Sequence, residues 1–144
     1  MAWRKITGGL AGFLLWWFLF FVAGIGIGVV LPDYREAARL MFQEGDMSGY
    51  TTPLLLCNYF LFITNGLIVG LVTTLLSKSR FPVYILTGVF FTYMIVNHYV
   101  LEWDSFPGWY NLMVPFIVAG AILLGCLVCK SGSENTHQES DVSV

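Results

Sequence analysis

Four stretches of the chain stay apolar for long enough to cross a bilayer, and the polar residues gather between them. A hydrocarbon core of roughly 30 Å needs about 20 consecutive apolar residues in a helix. The first run, from about Ile6 to Leu31, has no charge after Lys5. Three more cover about Pro53–Leu76, Val83–Leu101 and Tyr110–Cys129. Pro32, Pro53, Pro82 and Pro107 stand at or just outside the ends of these runs, where a missing N–H matters least.

The pattern predicts an all-α integral membrane protein with four transmembrane helices in an antiparallel bundle and a short external amphipathic helix. Links of about six residues after the second span and about eight after the third are short enough to make successive spans pack antiparallel. The transmembrane domain takes residues 1–130. Residues 131–144 are polar and acidic without periodicity, which predicts a disordered cytoplasmic tail. Its ending, Asp141-Val142-Ser143-Val144, has the form that grooves for free carboxyl termini accept.

Arg4 and Lys5, the apolar residues after them and Gly26-Ile27-Gly28 also fit the outline of a signal peptide. The run continues to Leu31, however, which is longer than a signal peptide requires, so a retained span is expected. Between the first two spans, Asp33 is placed to cap a helix over about Tyr34–Gln43. Ala37, Leu40 and Met41 share one face of it, as in a helix lying along the outer surface as a packing lid.

Charge then sets the orientation. Five of the seven Lys and Arg residues (Arg4, Lys5, Lys78, Arg80 and Lys130) fall on one side of the spans. The other side holds Arg35 and Arg39 with six acids: Asp33, Glu36, Glu44, Asp46, Glu102 and Asp104. The positive-inside rule places both termini and the Lys78–Arg80 link in the cytoplasm of a plasma or bacterial inner membrane. Composition agrees with a lipid environment, at 57% hydrophobic and 11% charged against roughly 25% charged in soluble domains. Trp103, Trp109 and Tyr110 sit where an aromatic belt meets the headgroups. A net charge of −2 with no basic stripe excludes nucleic acid as a partner.

Candidate chemistry is sparse. Gly24 with Gly28 and Gly66 with Gly70 form small-xxx-small pairs, a spacing that Gly8 and Gly12 repeat. Such pairs let helices approach within the bundle or between subunits. Asn58 and Asn65 share nearly one face of the second span, and His98 stands four residues before Glu102. By depth, Asn58, Asn97, His98 and Asn111 should lie near the external surface, with Glu102 and Tyr59, Tyr99 or Tyr110 in reach. The plainer reading of this cluster is an interhelical hydrogen-bond network. The sharper one is a proton-responsive or cation-binding pair, His98–Glu102, in an outer vestibule.

Absences narrow the field further. No Asp, Glu, Lys or Arg lies in the middle of any span, which removes the buried charge that proton-coupled pumps exchange. Cys126 and Cys129 lie at the inner end of the fourth span and Cys57 near the outer end of the second, so no thiol relay joins them. The inner pair fills space, or offers acyl-acceptor thiols beside Lys130. No metal, cofactor or catalytic set is expected. The leading expectation is a non-enzymatic accessory or helix-association protein whose partners are lipid and a second copy or another membrane protein. A small permease or channel using the outer cluster is the alternative, ahead of an enzyme acting on lipid or quinone through His98 and Glu102.

Overall fold

The computed structural model describes residues 2–129, and every regular element among them is helical. In order these are α1 (Ala2–Val30), α2 (Pro32–Glu44), α3 (Thr52–Ser77), α4 (Phe81–Ile95) and α5 (Gly108–Val128). Beyond Ile95, α4 continues as a π-helical turn, Val96–Leu101. Four segments are long and apolar enough to cross a membrane: Ala2–Val30, Thr52–Ser77, Phe81–Leu101 and Gly108–Val128. The tail over 131–144 lies outside the described residues.

The start of α2 departs from expectation. Leu31 takes the N-cap position, no side chain caps the helix, and Asp33 lies in the first turn. Pro32 explains the shift, because its fixed φ and missing N–H suit a first helical position. At the other end Gly45 adopts the left-handed conformation, with φ 68°. Its N–H donates to the Met41 carbonyl at 3.2 Å, and the Asp46 N–H donates to Leu40 at 3.3 Å. That reversal needs the freedom of glycine.

The most extensive packing joins α3 to α5. Gly66 lies against Ala121, Gly70 against Ile122 and Cys126, and Gly125 against Leu67, so these two helices point the same way. α1 runs against α3, with Gly8 beside Ser77, Gly12 beside Thr73 and Phe20 stacked on Phe62 at 5.9 Å. α4 runs against α5, where Phe91 meets Phe116 at 5.5 Å. α1 and α4 share a direction along Gly9–Pro82, Gly12–Leu86 and Trp17–Tyr93.

The short link after α3 led us to expect α3 and α4 as packed neighbours, but they touch only slightly. Glycine accounts for the exchange. Three positions without Cβ let the α3 and α5 backbones meet closely. The core includes Trp16, Leu55, Val69, Phe90, Val114 and Ile122. Of the four long segments α1 buries the fewest residues, Gly8, Gly12, Trp16 and Gly28. The cysteines are free, with Cys126 buried against α3 and the Cys129 thiol 3.8 Å from the Leu71 carbonyl.

Candidate functional site

Where α1 and α4 part company beyond Trp17–Tyr93, a cavity of about 260 Å³ opens under α2. Its inner end is aromatic. Trp16 packs on Phe90 at 4.7 Å and on Phe62 at 6.3 Å, and Phe20 stacks on Phe62. Tyr34, Asn58, Asn97, His98, Glu102 and Tyr110 bring polar groups to its walls.

The π-helical turn carries His98 and delivers Glu102 at its end, where the Glu102 N–H donates to the Asn97 carbonyl at 2.8 Å. Such wide turns are concentrated at functional sites. His98 is buried, with Nδ1 3.0 Å from Asn111 Oδ1 and 4.0 Å from Glu102 Oε2. The Asn111 amide decides the tautomer. Its Nδ2 donates to the carbonyls of Trp103 at 3.0 Å and Phe106 at 3.2 Å, groups that can only accept. Oδ1 must then face the imidazole, so Nδ1 carries the proton and donates. In the neutral ring Nε2 is left as an acceptor, and it makes no hydrogen bond to a described residue.

α2 closes the cavity from outside. Tyr34 is buried and its hydroxyl donates to Asn58 Oδ1 at 2.7 Å, tying α2 to α3. Removal from water raises the pKa of this hydroxyl, and the neighbouring Tyr50 and Cys57 add to the shift. Burial likewise raises the Glu102 carboxyl above its ordinary value. Glu102 keeps a side-chain exposure of 25% and is the one charged residue on the cavity wall.

The structure therefore divides the polar residues singled out in the sequence. Asn58, Asn97, His98 and Glu102 line the cavity, while Asn111 stands behind His98 and braces it. Asn65 lies apart, buried with its Nδ2 unpartnered. Tyr110 joins the wall; Tyr59 instead reaches the Tyr110 carbonyl at 3.1 Å and Tyr99 the Leu112 carbonyl at 2.9 Å. Gly66 and Gly70 face α5, Gly28 meets Arg35, and Gly24 has nothing within 4 Å of where its Cβ would stand. Sequence reasoning missed Tyr34 and the α1 aromatics Trp16, Trp17 and Phe20. The ring-rich stretch Trp16–Phe21 was the available signal, but in a span it reads as ordinary lipid-facing surface. No group of three or more His, Cys, Asp or Glu placed to hold a metal occurs among the described residues. No family model matches the chain, and no match was found among curated proteins or solved structures.

Proposed function

We propose that the chain is a four-span integral membrane protein with successive spans antiparallel and both termini in the cytoplasm, acting without catalysis as a small permease. The observation that carries this reading is the outer cavity, aromatic at depth and polar at its wall, which is the usual composition of a ligand site. A second, apolar groove lies at the opposite end of the same α1/α4 seam, lined by Ile6, Gly9, Phe13, Pro82 and Ile85. Between the two, Phe13 stacks on Phe90 at 5.7 Å and Phe90 on Trp16, closing the seam. One closure between two recesses is the arrangement alternating access requires. With no charge in the middle of any span, passive facilitation fits better than ion coupling.

The test is labelling from each side of the membrane with a charged maleimide, after Cys57, Cys126 and Cys129 have been replaced by alanine. Asn97→Cys should react from outside, and Gly9→Cys from the cytoplasmic side. Reaction of both from one side overturns the arrangement, and an unreactive Asn97→Cys overturns an open outer cavity.

Association with a second copy or another membrane protein is a second reading, favoured by one observation. α1 turns Phe18, Phe21, Val22, Ile25 and Val29 outward. Gly66 and Gly70 are occupied inside the chain, so a partner would use an outward apolar face such as this one instead. Purification in mild detergent as a monomer alone removes this reading.

A further inference from the structure

The lining of the outer cavity is lopsided in a way that selects among ligands, if the binding role proposed above holds. Eleven of its seventeen lining residues are Phe, Tyr or Trp, one is acidic, and none is Lys or Arg. An aromatic face is negative at its centre, so it attracts cations and repels anions. The polar groups lean the same way. Glu102 offers carboxylate oxygens, and His98, with Nδ1–H directed to Asn111, offers Nε2 as an acceptor. An anion would meet ring faces and the Glu102 carboxylate, with only neutral donors such as the Asn58 and Asn97 amides to pair it. A neutral hydrocarbon would cover the Glu102 carboxylate with nothing to pair it, an unfavourable burial.

We infer that this cavity takes a small lipophilic organic cation of the benzylammonium or alkylammonium class. The cationic head lies between Glu102 and the surrounding rings, and the apolar part rests on Trp17, Phe20 and Phe62. The ligand arrives sideways from the outer leaflet. α1 and α4 touch from Gly9–Pro82 up to Trp17–Tyr93, and beyond that pair Phe21 of α1, Phe42 of α2 and Asn97 line the cavity. Phe21 and Phe42 are both exposed, as the rim of a lateral opening would be.

Benzyltrimethylammonium and neopentylbenzene have the same shape and differ in the charge of one atom, so the pair isolates the inference. Binding of each to the full chain in nanodiscs of zwitterionic lipid is measured by equilibrium dialysis, with empty discs subtracted. The cation should bind about tenfold more tightly than the hydrocarbon, the scale of a desolvated cation–aromatic contact. Glu102→Gln should narrow the gap between the two affinities, leaving the part that the rings supply. Asn97→Lys, which introduces a fixed positive charge at the cavity edge, should remove cation binding and spare the hydrocarbon. Equal affinities in the unaltered protein overturn the cation assignment while leaving a ligand cavity. A cation preference that survives both substitutions also overturns it, since the cation is then held elsewhere. If neither compound binds, the proposed binding role falls with it.

Discussion

The glycine pairs Gly24/Gly28 and Gly66/Gly70 have the same spacing, yet substitutions within them should differ in sign. A Cβ added at Gly70 would stand 2.9 Å from the Ile122 carbonyl carbon and 3.1 Å from the Cys126 nitrogen, with the Ile122 oxygen nearer still. These are backbone atoms of α5 and cannot rotate aside, so α3 and α5 must separate along their whole glycine seam. Overpacking a filled interior costs typically about 1–3 kcal/mol, and a backbone obstacle places Gly70→Ala near the upper end. Alanine recovers about 1 kcal/mol through its helix propensity, which leaves a net loss of about 2 kcal/mol. At Gly24 nothing lies within 4 Å of the added carbon. Only the propensity remains there, so Gly24→Ala should be neutral or stabilise by up to about 1 kcal/mol.

Unfolding in mixed micelles titrated with SDS and followed by tryptophan fluorescence measures both variants on one scale. Gly66→Ala serves as a repeat, because its Cβ would meet that of Ala121 at 2.5 Å and alanine has no rotamer to change. Gly70→Ala unfolding at or beyond the wild-type midpoint would refute the packing argument. So would a Gly24→Ala variant that loses as much as Gly70→Ala.

Asn111→Ala should destabilise the same transition by about 2 kcal/mol, since it leaves two buried carbonyls and the His98 Nδ1–H without a partner; a loss no larger than that of Asn97→Ala counts against the bracing role. Glu102 should give stability a pH slope of definite sign. Its folded pKa lies above the ordinary 4.5 because burial favours the protonated acid, so the stabilisation is complete below that value and is lost as pH rises through the raised one. The groups facing it are His98 on its own element, Asn58 of α3, and Tyr34 and Tyr110 of α2 and α5, whose hydroxyls stay neutral over this range. Followed upward from pH 4.5, the unfolding midpoint of the wild type should therefore fall relative to that of Glu102→Gln; parallel curves refute the assignment. Benzyltrimethylammonium should reverse that slope, because it pairs with the carboxylate that rising pH creates.

The helices were legible in the sequence because lipid allows few alternatives: a chain crossing it must satisfy its backbone internally, so long apolar runs become helices. Their neighbours were not legible. Link length gave α3 and α4 as a packed pair, but the α3/α5 contact rests on Gly66, Gly70 and Gly125, and no spacing rule says that Gly66 will meet Ala121 or Gly125 meet Leu67. The cap of α2 failed for a local reason, since Pro32 competes for the turn that Asp33 would have capped. Counting residues inward from the span ends grouped Asn58, Asn97, His98 and Asn111, whereas Tyr34 required knowing that α2 carries its hydroxyl to Asn58 of α3.

On the proposed reading, the two meanings of the polar cluster, hydrogen-bond network and ligand site, are halves of one arrangement. Asn111 satisfies the carbonyls of the Trp103–Phe106 turn and, by doing so, fixes which imidazole nitrogen of His98 holds the proton. The network therefore creates an acceptor on a residue that lines the cavity. Glu102 lies on the open side of the same histidine, at 4.0 Å, too far for a hydrogen bond and near enough to sense its charge. A buried cluster built only for packing would consume its own donors and acceptors, as Asn111 does. This one leaves Glu102 without a cationic partner among the described residues of an aromatic recess, which is the observation behind the proposed cation.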